Sequence, residues 1–261
     1  MTSVAPDILA RIVSRKREEL RLASAPVAEL RTRAEIESGD RRDFAAALRS
    51  KTPAIISEIK KASPSKGVLI EDFHPAELAL KYAEGGAVAL SVLTDRDFFQ
   101  GSLDDLREAR AACSLPVLRK DFTISEYHVI EAAAAGADAI LLIAAILDEE
   151  ELRSFRVLAS AFGMASLVEA HNLAELEMAL RSGAEIVGIN NRNLNNFRVS
   201  LEVSLELAPH IPKGVTKVSE SGILTSADIH RLVNVGFEAF LVGEHLLRSE
   251  DATRALRELA A

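Results

Sequence analysis

The stretch EYHVIEAAAAGADAILLI (126–143) holds one helix, one turn and one strand in succession. Its first part is amphipathic at helical spacing, and DAILLI (138–143) is a short apolar run of the kind that forms a buried strand. Gly136 separates the two, because glycine adopts the left-handed conformation that ends a helix. The same junction recurs outward along the chain. Gly86-Ala87, Gly136-Ala137, Gly183-Ala184 and Gly236-Phe237 are spaced by 50, 47 and 53 residues, two strand–helix units each time. They mark the entries to strands 2, 4, 6 and 8.

The complete set of β-rich runs is AIISEIK (54–60), AVALSVL (87–93), PVLRK (116–120), DAILLI (138–143), MASLVEA (164–170), EIVGIN (185–190), TKVSES (216–221) and EAFLVGE (238–244). Amphipathic segments such as PAELALKYAEGG and SLDDLREARAAC lie between them. Eight strands each followed by a helix predict an α/β fold, a (β/α)8 TIM barrel over residues 53–261. An open doubly wound sheet uses the same glycine caps. Eight strands in about 200 residues, however, is the size of a barrel. Residues 1–52 contain no strand-like run. Ile8, Leu9, Ile12 and Val13 recur at helical spacing, as do Phe44, Ala47 and Leu48, with Pro26 between helical patterns. They predict an N-terminal extension of two or three helices, making one domain over 1–261.

The chain has 261 residues, 48% of them hydrophobic, with 13 Gly and 8 Pro, enough for a sizeable core and unlike a disordered or fibrous protein. The formal net charge of −8 argues against nucleic acid or an anionic membrane as partner, while leaving room for a small anionic ligand at a local cluster of cations. No stretch is apolar enough to span a bilayer. Arg11, Arg15, Lys16 and Arg17 interrupt any secretory core, and the single Cys113 fits a reducing compartment, so the expected location is the cytoplasm.

In a barrel of this kind the chemistry sits at the C-terminal ends of the strands. Strand 1 ends in Glu58 and Lys60, on the face of Ile56; strand 3 ends in Lys120, on the face of Leu118, followed by Asp121 and Phe122. Strand 5 ends in Glu169 on the face of Leu167, and strand 6 in Asn190 on the face of Gly188, with Arg192 beyond. Strand 7 ends in Glu220, Ser221 and Gly222, and strand 8 in Gly243 and Glu244. A lone charge at a strand end is usually just solvated. Here each charge follows an apolar strand whose parity turns it inward, where it needs a partner or a ligand. Glu58 has Lys60 on its own face. Glu169 has only Leu167, Val168 and Ala170 beside it in its strand, so Lys120 or Asn190 must hold it from across the barrel, or its pKa must rise. Ser221-Gly222-Ile223 and Gly243-Glu244 suggest converging backbone amides for a phosphate. The loop Lys61–Gly67 reads either as a polar turn or as a lid carrying cations and hydroxyls. His74, His128, His171, His210, His230 and His245 show no metal-ligand spacing, so no metal is implied, and no nucleotide-binding glycine motif or serine nucleophile elbow occurs.

The segment Ile56-Ser57-Glu58-Ile59-Lys60-Lys61-Ala62-Ser63-Pro64-Ser65 resembles the signature of the indole-3-glycerol-phosphate synthase family of tryptophan biosynthesis. Phe99-Gln100-Gly101-Ser102, Leu118 to Phe122, Leu167 to His171, Gly188 to Arg192 and Ser219 to Ile223 match further blocks of that family in order. The resemblance covers about residues 53–250, and the helical extension is also a trait of the family. It implies closure of 1-(2-carboxyphenylamino)-1-deoxyribulose 5-phosphate to indole-3-glycerol phosphate with loss of carbon dioxide and water, without metal or organic cofactor. Members of that family are often monomeric, and the resemblance implies a small substrate bearing phosphate and carboxylate. Lys120 is then the general acid, acting near its ordinary pKa, with Glu169, Glu58 and Lys60 dividing the later steps in a way the sequence leaves open. Asn190, Arg192, Ser63 and Glu220 would contact substrate, and Phe99, Phe122, Leu141, Leu194 and Val242 would wall its benzene ring. Ser221, Gly222, Gly243 and Glu244 would take the phosphate. Some members carry Ser where this chain has Glu244, so the Glu244 side chain is expected to turn away. A sugar-phosphate isomerase or a noncatalytic barrel are the rival readings. The first needs neither the two lysines nor the aromatic wall, and the second needs neither Lys120 nor Glu169.

Overall fold

The computed structural model describes residues 8–64, 66–193 and 197–261. Eight parallel strands run β1 Ala54–Ile59, β2 Ala89–Leu93, β3 Val117–Lys120, β4 Ala139–Ile143, β5 Ala165–Ala170, β6 Ile186–Asn190, β7 Thr216–Glu220 and β8 Ala239–Val242. Each hydrogen-bonds its sequence neighbours, and β8 returns to β1 through Ala54↔Ala239 and Ile56↔Leu241, so the sheet closes. The chain is the (β/α)8 barrel that the strand pattern predicts, not an open sheet. Observed strands are shorter than the apolar runs by a residue or two at their ends, as expected where pairing gives way to loops.

Strand parity divides the apolar residues into two clusters. Inside the barrel lie Ala54, Ile56, Ala89, Leu118, Ala139, Leu141, Leu167, Ile186, Val218 and Leu241. The alternate residues, among them Ile55, Leu90, Ile140, Val168, Val187 and Phe240, face outward under the helices. Gly86, Gly136, Gly183 and Gly236 have φ of 93°, 86°, 87° and 90°, the left-handed conformation that a side chain would strain, and each stands between a helix and the following even-numbered strand.

Among its described residues the extension forms three helices, α1 Ile8–Leu22, α2 Val27–Ser38 and α3 Phe44–Leu48. Phe44 and Leu48 of α3 are fully buried in the inner cluster with Ala54, Ala89 and Ala139, and so plug the N-terminal end of the barrel. The α2–α3 link is tied down by Arg41, which donates to the carbonyls of Ala133, Ala137 and Phe162, and by Arg42, which donates to those of Leu115 and Arg110. At the other end, α1 reaches the barrel mouth. Lys16 is buried there, with Asp95 and Asp121 each 2.9 Å from its ammonium. After β1, Ala62–Ser63 and Gly67–Val68 form a small antiparallel ribbon. No helix among the described residues is long and apolar enough to cross a membrane.

Candidate active site

A cavity of about 640 Å³ opens at the C-terminal ends of the strands. Glu58, Lys60, Ser63, Phe99, Lys120, Phe122, Leu141, Glu169, Asn190, Arg192, Glu220, Ser221, Gly222, Val242, Gly243 and Glu244 all line it. Leu194 lies outside the described residues. The strand register explains the gathering: Ile143 pairs Glu169, Glu169 pairs Gly188 and Asn190 pairs Glu220, which places the strand ends on one rim.

Lys120 occupies the centre. Its ammonium is 2.8 Å from Glu169 Oε2 and 3.5 Å from Glu220 Oε2. Burial, the largest influence, favours the neutral amine, but the charges of Glu169, Glu220 and Glu58 together outweigh it and push the lysine pKa above its ordinary value. Lys120 is therefore fully charged at neutral pH, and a weaker acid at rest than an ordinary lysine. Glu169 and Glu220 are 2% and 1% exposed, and their environments separate them. Burial would raise Glu169, yet Lys120 and His171 bring it well below the ordinary carboxylate range. Glu220 has the same desolvation with weaker compensation and an ionised neighbour in Glu169, and is pushed up to about 8. At neutral pH Glu169 holds the charge and Glu220 holds a proton. Glu58 pairs with Lys60, as their shared face predicts. Two glycines make room for these acids. A Cβ on Gly188 would fall on Glu220 Oε1, and one on Gly243 would fall on Glu58 Oε1.

The apolar side of the cavity contains Phe99 and Phe122, their ring centroids 6.2 Å apart, with Leu141 nearby. Val242 borders the cavity, but its side chain belongs to the outer cluster; Leu241 takes the inward position, because the parity that turns Glu220 inward also turns its partner Leu241 inward. Ile8, Leu9 and Ile12 of α1 complete the wall. Their helical spacing is evident in the sequence, but spacing alone does not say which surface a helix covers. The same holds for Lys16, which looks like one more exposed basic residue and is in fact the buried tether of α1.

The opposite rim is polar. Ser221 and Gly222 have φ of 68° and 79°. Asn191 holds this turn, its amide donating to the Glu220 and Ser221 carbonyls and to Ser219 Oγ. Glu244 does not turn away as expected. Its carboxylate pairs with Lys66 and lies 3.3 Å from Arg248 and 3.8 Å from Arg192. Cations this close hold an anion by default, and the nearest one is Glu244. The expectation that Glu169 depends on partners across the barrel holds for Lys120 but misses His171, two residues on, whose Nε2 is 3.3 Å from Glu169 Oε1.

The model of the family described as "Indole-3-glycerol phosphate synthase" matches residues 9–259. A protein of that name from Chromobacterium violaceum is 52% identical over 259 residues, covering 97% of each chain. Another from Aromatoleum aromaticum is 52% identical over 258 residues, covering 97% of this chain and 98% of the relative. Among solved structures, a thiamine phosphate pyrophosphorylase from Pyrococcus furiosus superposes with a TM-score of 0.59 at 18% identity, over 81% of this chain and 95% of that one. An N-acetylmannosamine-6-phosphate 2-epimerase from Clostridium perfringens also gives 0.59, at 15% identity, over 76% and 89%. The two structures share the barrel alone. The match over nearly the whole length and the 52% identity establish that the chain belongs to the indole-3-glycerol phosphate synthase family.

Proposed function

We propose that the chain closes the ring of 1-(2-carboxyphenylamino)-1-deoxyribulose 5-phosphate with Lys120 as general acid, releasing carbon dioxide and water and giving indole-3-glycerol phosphate. The observation that carries this reading is the Lys120 ammonium, held between Glu169 and Glu220 on the floor of a cavity with one apolar and one polar side. The benzene ring lies against Phe99, Phe122 and Leu141. The phosphate lies toward Ser221, Gly222, Gly243 and the backbone of Glu244, with Lys66 and Arg192 as its cations. Asn190 and Arg192 orient the hydroxyls.

Ring closure joins the carboxyl-bearing aromatic carbon to the ketone carbon. Lys120 gives its proton to the ketone oxygen as that bond forms. Departure of carbon dioxide returns its bonding pair to the ring and restores aromaticity. In dehydration, the new hydroxyl leaves as water with a proton from Lys60, which Glu58 holds in place, and Glu169 takes the proton from the adjacent carbon. The electrostatics support this order. Once Lys120 has given up its proton, the charge that depresses the Glu169 pKa is gone, and burial makes Glu169 a stronger base than at rest. The extension and the barrel act as one domain, because α1 walls the cavity. A small phosphorylated substrate and a single free Cys113 fit a cytoplasmic enzyme.

The test is to incubate the purified protein with the carboxyphenylamino deoxyribulose phosphate and follow indole fluorescence. Product formation by the native chain and its absence with Lys120→Ala are the expected results. Equal rates in both would overturn the assignment.

A further inference from the structure

His171 sits between two carboxylates. Its Nδ1 is 2.9 Å from Glu175 Oε2, and its Nε2 is 3.3 Å from Glu169 Oε1. Its backbone N–H also donates to Glu175 Oε2 at 2.8 Å. Glu175 is itself fixed, since the Asn172 side chain donates to its Oε1 at 2.6 Å and accepts from its backbone N–H at 3.0 Å, capping the helix Leu173–Arg181. The imidazole is largely buried, with 12% of its side chain exposed. The Nε2–Oε1 approach is an ion-pair distance without hydrogen-bond alignment, so the attraction depends on charge.

Glu169 is thus held at both oxygens, Oε2 by Lys120 and Oε1 by His171. The proposed reaction asks different things of the two cations. Lys120 must leave Glu169 to protonate the ketone and becomes neutral when it does. Glu169 would then stand with a single cation beside it, in a buried site next to the protonated Glu220, and without that cation it would take up a proton before its own step. We propose that His171, held as an imidazolium by Glu175, is a positioning residue that keeps Glu169 ionised and oriented while Lys120 is engaged with substrate.

The charged and titratable groups facing His171 are Glu169 on the strand just before it and Glu175 on the following helix, with Lys120 and Glu220 beyond Glu169. Burial opposes the imidazolium, but the two carboxylates outweigh it and push the His171 pKa up to about 10. It therefore keeps its charge across the neutral range.

The inference rests on Glu169 being the proton acceptor of the proposed reaction, and the test separates the two. Native protein, His171→Gln and Glu175→Gln are compared for kcat and KM from the lowest pH at which each stays folded up to pH 10, and 13C NMR of labelled glutamate follows the Glu169 carboxylate over the same range without substrate. His171→Gln keeps a donor but loses the charge. It should lower kcat about 10-fold with KM changed less than 2-fold, and raise the acid limb of the kcat profile and the Glu169 titration by one pH unit or more. Glu175→Gln leaves the imidazole in place but weakens its hold on the proton, so kcat should acquire a new decline between pH 7 and 9. If both variants fold and keep the native kcat–pH profile and Glu169 titration, His171 is only structural and the inference is wrong. A lowered Tm with an unmoved titration has the same meaning. Should native protein turn over no substrate, the proposed function fails instead. The NMR titration still decides whether His171 sets the charge of Glu169.

Discussion

Ile56 and Glu58 are two residues apart on β1, and the same interval separates Leu118 from Lys120, Leu167 from Glu169 and Val218 from Glu220. The first of each pair belongs to the apolar half of the barrel, plugged by Phe44 and Leu48. The second belongs to the charged mouth, where Glu58, Glu169 and Glu220 are each under 10% exposed. Parity is the same for both members, so it decides only that a side chain faces inward. Height along the strand decides what it meets there. In the lower half it meets other hydrocarbon, and burial itself is the stabilising interaction. In the upper half an unpaired charge would cost several kcal/mol, so each acid is matched to Lys60, Lys120 or His171. The same strands therefore carry one end whose loss unfolds the protein and another whose loss disables it.

The largest effect expected from breaking that division is in the upper half. Lys120→Ala should reduce kcat by about 10³-fold or more, because the lost ammonium is both the proton donor and the central positive charge. The far-ultraviolet circular dichroism spectrum should be unchanged. His171 still stands beside Glu169 in that variant, so the carboxylate is not left unpaired, which limits the loss of stability. Near-normal turnover would remove Lys120 from its role.

The reciprocal experiment is Phe44→Ala. It should cost about 3–5 kcal/mol, as expected when a fully buried phenylalanine leaves a cavity. Activity per folded molecule should stay within about 2-fold of native at a temperature well below the transition. Urea denaturation and kcat measured on the same samples test both halves of this statement. A large fall in kcat without loss of stability would mean that the two ends are coupled.

Much of this division is legible in the amino-acid sequence. Glycine at four helix ends, β-rich runs of five to seven residues and a charge two positions after an inward apolar residue are local features, and they give the strands, their parity and the ring of acids and lysines. What escapes the sequence is contact between distant segments. Nothing local says that Lys16 pairs with Asp95 and Asp121 or that Ile8, Leu9 and Ile12 wall the cavity. Parity alone turns Val242 outward, as observed, and it is the resemblance that places it in the wall of the ring. His171 is visible as part of a strand-end block, but its meaning depends on Glu175, which only the helix that follows β5 brings into reach.

Within the mouth, the two acid–lysine pairs differ in burial and partners, and the comparison can be sharpened there. Glu169→Gln should lower kcat tens-fold more than Glu58→Gln, with smaller effects of both on KM, because Glu169 accepts a proton and Glu58 orients Lys60. The reverse order would exchange their roles.

A smaller effect should come from Glu220. Its pKa is raised in the folded protein, from an ordinary value of about 4.3 toward 8. The folded state then binds a proton that the unfolded state has released, so this group's contribution to stability falls as pH rises across that window. Glu220→Gln has no such proton to lose. Its Tm relative to native should therefore rise by about a few degrees between pH 5 and pH 8. A difference in Tm that is independent of pH would show that Glu220 ionises normally.

The smallest effect expected concerns the polar rim, where the same reasoning about partners applies to a side chain that is only partly buried. Glu244 pairs with Lys66 and lies near Arg192 and Arg248, and Lys66 is the first cause of its lowered pKa, so it is ionised at neutral pH. These are the cations proposed for the substrate phosphate. An internal carboxylate among them must be displaced when the phosphate arrives, and the exchange of one anion for another gains less than filling an empty cluster. Water screens this exposed rim, which keeps the difference modest. Glu244→Ser removes the competitor and leaves a hydroxyl that can donate to phosphate. KM should fall about 3-fold with kcat unchanged, and inorganic phosphate should become a tighter competitive inhibitor by a similar factor. The gain should shrink as salt is raised, since it arises from charge. If KM instead rises, the carboxylate is holding Lys66 and Arg192 in place for the phosphate rather than competing with it, and the rim would then resemble the mouth below it, where every acid has a task.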